Sequence, residues 1–277
     1  MTTTTRSSGT AASAPATAAR AQGNSLTRAV QDSITMVGRN LRHTLRSPDS
    51  MIMTIAVPVM ILLMFVYVFG GAMNVGGAYI DYVVPGIVLL CAGFGSGTTA
   101  VAVSTDMHNG IVDRFRTMPV SRSALLSGHV VESVLRNLLT TGLVIVLAVA
   151  IGFRPSADPL RWLGVLGVLA AFVLALSWVA AALGLLAPNP EAANGFTFAF
   201  MFLPYISSAF VPVSSMPAWL HGFAEHQPIT SITETVRGLL MGTPVRDDAA
   251  IALAWCAGIG LVGYVAAGVL FRRRGVN

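Results

Sequence analysis

Six apolar stretches, near residues 51–70, 83–105, 131–152, 160–187, 194–212 and 249–271, are each long enough to cross a bilayer. About 20 predominantly apolar residues in a helix cover roughly 30 Å of hydrocarbon, and a helix suits lipid because its backbone hydrogen bonds are satisfied internally. Apolar residues make up 54% and charged residues 10% of the 277-residue chain, where a soluble globular domain carries about 25% charged residues. The expected class is an all-α membrane protein with six transmembrane helices.

The chain has no lysine, and its seventeen Lys/Arg positions are all arginine. A Walker phosphate loop needs a lysine to reach the β and γ phosphates, so any ATP-driven work must be done on another chain. The net charge of +5 and the pI near 9.9 do not indicate nucleic acid, because the arginines cluster at the ends of spans. There they set orientation, since short cytoplasmic loops carry the Lys/Arg excess. With the N-terminus inside, thirteen of seventeen arginines lie on the cytoplasmic side, and Arg154, Arg161, Arg237 and Arg246 lie outside. Both termini are then cytoplasmic. Cys91 and Cys256 fall inside apolar runs and are expected to be small core residues.

Residues 1–24 are rich in Thr, Ala and Ser and lack the apolar core of about 7–15 residues that a signal peptide requires. They are expected to be a disordered tail. Over 25–47, Leu26, Val30, Ile34, Val37, Leu41 and Leu45 recur at the period of one helical face, with Arg28, Arg39, Arg42 and Arg46 mostly off it. That pattern predicts an amphipathic helix in the cytoplasmic headgroup layer, either a plain anchor or one that also touches a cytoplasmic partner. Residues 48–274 form the six-span unit.

In the second span, Gly93-Phe94-Gly95-Ser96-Gly97-Thr98 fails as a dinucleotide fingerprint, and Gly93 and Gly97 instead suit close helix packing. After that span, Ile111, Phe115 and Met118 share a helical face, Asp113, Arg114 and Arg116 lie off it, and Pro119 ends it. This is either an ordinary loop or a short helix shaped for a groove on a partner. The third span begins with His129, Glu132 and Arg136. Glu132 and Arg136 can pair at i, i+4 near the cytoplasmic boundary. The middle of every span is expected to be free of charge, which argues against coupling to an ion gradient.

The fifth span holds Phe196, Phe198, Phe200, Phe202 and Phe210 with Tyr205, Pro204 and Pro212. These residues either pack or line a route for a hydrophobic solute, with Phe198, Phe202 and Tyr205 as candidates. Residues 213–248 are too apolar for a free loop and too interrupted to cross. Ser231 and Glu234 match a capping box and predict a helix start, with Gly238 or Gly242 as its stop. A second short helix is expected near Pro217, with Trp219 at interface depth. Joined at Gln227-Pro228, the two form an extracytoplasmic re-entrant hairpin. His221, Glu225 and His226 have the wrong spacing for a zinc helix, and no nucleophile elbow is present. No metal and no catalytic residue are expected.

The order of these parts carries a resemblance. The amphipathic helix, six spans, Gly110-Ile111-Val112-Asp113-Arg114-Phe115-Arg116-Thr117-Met118-Pro119, Asn189-Pro190-Glu191-Ala192, Met216-Pro217-Ala218-Trp219-Leu220 and Gln227-Pro228-Ile229-Thr230 resemble type-2 permeases of ATP-binding-cassette exporters, within them the daunorubicin-resistance type. The likeness spans about residues 26–274. It implies a homo- or heterodimer of permease subunits in the plasma membrane, driven by two ATPase subunits that bind the ATP and Mg. It also implies a coupling helix carrying Gly110, Asp113, Arg114, Phe115, Arg116 and Pro119, with Arg39 and Arg42 also meeting the ATPase. Cargo in such a family is an amphipathic drug, a lipid or a glycan.

Overall fold

The computed structural model describes residues 48–273 apart from 74, 76, 110–121 and 246. Among these residues the chain is all-helical, without a strand. Helix α1 (Pro48–Leu63) runs on through a π-helical turn, Met64–Phe69. Then come α2 (Tyr79–His108), α3 (Arg122–Ala150), α4 (Pro159–Leu186) and α5 (Pro190–Phe202). The chain closes with α6 (Ala218–His226), α7 (Pro228–Met241) and α8 (Asp248–Arg273).

Four of these helices, α2, α3, α4 and α8, are long and apolar enough to cross a membrane. The first and fifth apolar stretches form shorter helices, of 16 and 13 residues. The fifth stretch, expected to be unbroken over 194–212, leaves α-geometry at Phe202 and continues as a 3-10 turn, Leu203–Ile206. Pro204 explains the break: it has no N–H to donate, and its ring opposes the carbonyl four residues earlier.

Helix starts follow local chemistry. The Asp158 carboxylate accepts the Arg161 N–H at 2.7 Å, with Pro159 in the first turn of α4. The Asn189 side-chain carbonyl accepts the Ala192 N–H at 2.7 Å, and Pro190 and Glu191 open α5. Gly242, at φ 72°, ends α7 in the left-handed conformation that glycine adopts without strain.

The helix order follows from burial. In the most apolar part of α2, 78% of residues are buried, against 17% in α8. Helix α2 is the central post, with α3, α4, α5 and α7 packed around it, while α8 lies outside against α4. Gly263 of α8 rests on the backbone of Trp178 and Val179. The core runs through Val83, Ile87 and Leu90 of α2, Leu169 and Phe172 of α4, and Ile232 and Val236 of α7. Cys91 and Cys256 are both buried and unbridged. One stripe of α3, Leu135, Leu139, Leu143 and Val146, is exposed and apolar, as a face turned to lipid or to another subunit must be.

Candidate functional site

Helices α2 and α3 run antiparallel and bracket residues 109–121. They are joined by polar rungs rather than by apolar packing alone. At the end near His108, the His129 ring Nε2 meets the Asp106 carboxylate at 3.0 Å. Further along, Arg136 donates to Glu132 at 2.9 Å on its own helix. Its second nitrogen crosses to α2, donating to the Thr98 hydroxyl at 2.7 Å and the Gly95 carbonyl at 3.2 Å. His129, Glu132 and Arg136 recur at i, i+3, i+7, so one face of α3 supplies all three.

Gly95 is what lets the two helices come this close. A Cβ there would run into the Asn137 amide. Asn137 in turn donates to the Ser133 carbonyl at 2.9 Å, and Ser177 of α4 donates to the Ser133 hydroxyl at 2.8 Å. Three helices thus meet at a hydroxyl- and amide-lined junction. Ser96 Oγ, Thr99 Oγ1 and Arg136 Nε are buried there without a hydrogen-bond partner among the described residues.

The Glu132–Arg136 pair forms as its spacing predicts. Arg136 lies fourteen residues from either end of α3 (Arg122–Ala150), and Glu132 is only 4% exposed. The apolar run begins near residue 131, but the helix begins at Arg122, so the middle of the element falls nearer the charges than the middle of the run. A lone arginine at the centre of a spanning helix costs roughly 2.5–3.5 kcal/mol on insertion scales; the glutamate, the hydroxyl and the carbonyl offset that cost.

Of the other residues singled out by sequence, Arg39, Arg42, Gly110, Asp113, Arg114, Phe115, Arg116 and Pro119 lie outside the described residues. Phe198 and Phe202, one turn apart on α5, are both exposed. Tyr205 turns inward, stacking on Phe210 at 4.9 Å, which stacks on Phe65 at 4.5 Å. Tyr205 also lies beside Phe202, with ring centroids 6.1 Å apart, so these two candidates are neighbours. Two short helices form here, with Pro217 at the N-cap of α6 and Gln227 at its junction with α7, and Trp219 is 81% exposed. Its second helix starts at Pro228 rather than Ser231. Proline in the first turn outcompetes the capping box, leaving Ser231 buried inside the helix and Glu234 free to pair with Arg237. His221 and His226 donate to the carbonyls of Met216 and Gly222.

Residues 32–241 match the profile of the ABC-2 type transporter family. This chain belongs to that family. The ABC-2 match covers α1 to α7, and so includes both sides of the α2–α3 junction. A daunorubicin resistance ABC transporter permease protein, DrrB1, of Streptomyces coeruleorubidus is 31% identical over 86% of this chain and 84% of its own length. A probable doxorubicin resistance ABC transporter permease protein, DrrC, of Mycobacterium tuberculosis is 27% identical over 90% of this chain and 85% of its own. Asp106, Thr98, Ser133, Asn137 and Ser177 were not legible as a site in this ABC-2 chain. Their only sequence signal is polar residues recurring at helical spacing inside apolar runs.

Proposed function

We propose that this chain is the transmembrane permease subunit of an ATP-driven exporter that moves a hydrophobic or amphipathic solute, such as a drug, antibiotic or lipid-like molecule, out of the cytoplasm. The relatives' names, of daunorubicin and of doxorubicin resistance, support that cargo class. Power comes from two copies of a separate ATPase subunit, which hold the ATP and Mg, since this chain has no lysine for a Walker loop. A second permease subunit, identical or related, completes the pathway.

The arginine distribution supports both termini in the cytoplasm, six crossings and a re-entrant hairpin within 213–248 at the outer face. On this reading α1 and α5 complete the six. Tail 1–24 and the amphipathic helix 25–47, with Arg39 and Arg42, lie on the ATPase side. The same side holds the coupling segment with Gly110, Asp113, Arg114, Phe115, Arg116 and Pro119. Phe198 and Phe202 offer apolar surface to cargo or to the second subunit.

One observation carries the mechanism: α2 and α3, the two helices that bracket the coupling segment, are stitched together by Asp106–His129 and by Arg136 with Gly95 and Thr98. Helices joined by charged rungs move as one body. A push on the segment between them is then delivered to the centre of the bundle instead of being lost in a flexing loop.

In cells carrying the ATPase partner, the intact chain should lower daunorubicin accumulation and raise ATP hydrolysis. Asp113→Ala or Phe115→Ala should abolish efflux while leaving insertion intact; unchanged efflux in both would sink the coupling assignment. The charges at the middle of α3 also bear on an ion-coupled transporter, whose efflux would collapse with a protonophore and survive ATP depletion. A permease for lipid-linked glycans would move no drug but would export labelled glycan in an ATP-dependent way.

A further inference from the structure

Between α5 and α6 the backbone leaves α-geometry over residues 203–212, and side chains take up several of its polar groups. The Ser207 hydroxyl donates to the Pro204 carbonyl at 2.6 Å. Gln227 donates to the Ile206 carbonyl. Tyr82 donates to the Ser208 carbonyl at 2.9 Å and Tyr79 to that of Phe210 at 3.0 Å. The Ser208 N–H donates to the Thr230 hydroxyl at 3.3 Å. Gly86 leaves room for Ala209 to lie against α2. Irregular backbone near membrane depth is tolerated only where it is covered in this way.

Arg237 of α7 differs from the other donors in joining three elements at once. Its guanidinium donates to the Tyr82 carbonyl of α2 at 3.1 and 3.3 Å and to the Ser208 carbonyl at 2.9 Å. It also pairs with Glu234 and lies over the Tyr82 ring, 3.9 Å from the centroid. A planar fork of five N–H donors can satisfy this geometry, whereas the single nitrogen of lysine cannot reach all of it.

We propose that Arg237 is a positioning residue for transport: it latches segment 203–212 and the α6–α7 hairpin against the first turn of α2 and holds the outer end of the pathway closed. This rests on the exporter reading, which puts that end at the outer face. Carbonyls held by side chains can exchange them for water without unwinding a helix, and a guanidinium released at an aqueous boundary is rehydrated. The strap can therefore open while the helices beneath it stay intact.

The test is labelling of Ser208→Cys from outside the cell by a membrane-impermeant maleimide, in the full chain co-expressed with its ATPase and read by mass spectrometry. Ser208 is buried and its hydroxyl has no partner among the described residues, so the substitution is mild. With Arg237 intact and ATP depleted, labelling should be slow. Arg237→Gln should speed it about ten- to a hundredfold, the loss expected for charge-assisted hydrogen bonds, and Arg237→Lys should fall between. Cys91, 2% exposed in the core, controls for general loosening when a permeant maleimide is used in parallel.

Equal labelling with arginine, lysine and glutamine at 237 would overturn the latch, as would a rise at Cys91 matching that at residue 208. If Arg237→Gln exposes residue 208 but ATP turnover never does so in the intact background, the latch stands and the exporter reading fails. If turnover exposes residue 208 to the same extent and at the same rate with arginine or glutamine, the exporter reading stands and the latch fails.

Discussion

The two ends of α2 solve the same problem in opposite ways. Toward His108, polar side chains bridge two unbroken helices, through Asp106 with His129 and Arg136 with Thr98 and the Gly95 carbonyl. Toward Tyr79, side chains meet the backbone of a broken segment, through Tyr79, Tyr82, Gln227 and Arg237. In the first region the backbone already has its own hydrogen bonds, so the polar side chains serve only to lock one helix to the next. In the second they replace a missing helical ladder, so the segment is ordered only while they stay in place. The first arrangement transmits force, and the second can let go.

The comparison can be broken most directly at Glu132. Glu132→Leu leaves Arg136 without its carboxylate, and loss of one partner of a buried pair costs about 3–5 kcal/mol. A large fall in the melting temperature of the detergent-solubilised protein, followed by fluorescence-detected size exclusion, is the expected outcome. An unchanged melt would show that the α3 charges are not an internal lock.

A sharper probe is Gly95→Ala. Its new methyl group collides with Asn137, and such overpacking costs about 1–3 kcal/mol. Combining it with Asn137→Ala should recover part of the loss in a double-mutant cycle, whereas additive losses would show that the two residues do not meet. At the other end, Tyr79→Phe removes one hydroxyl from the Phe210 carbonyl and should cost about 1 kcal/mol, since a carbonyl near the bundle end can be rehydrated. A loss as large as that of Glu132→Leu would erase the distinction between the two regions. The smallest effect belongs to Ser177→Ala, which deletes a hydroxyl pair with Ser133 and should cost about 0.6 kcal/mol, the average for such bonds between membrane helices.

Much of the bundle was legible because its signals are local. Runs of apolar residues mark α2, α3, α4 and α8, and Gly242 marks a stop. Glu132 and Arg136 were paired correctly because i, i+4 spacing on one helix is a property of the chain itself. The start of α3 was not marked, because hydropathy locates apolar runs and the helix begins at Arg122, well before its run does. The capping box at Ser231 was a local signal overridden by a stronger one, Pro228. Arg237 was noticed only as a charge that sets orientation, because its partners Tyr82 and Ser208 are 155 and 29 residues away.

Length, hydropathy and the absence of lysine are properties of the covalent chain, and they already place it in a membrane as helices without a Walker loop of its own. Tertiary structure alone decided which glycine faces which amide, which carbonyls of the broken segment are covered, and that one arginine sits at the middle of α3. Those facts depend on how helices far apart in sequence are brought into contact, and no local spacing encodes such a meeting.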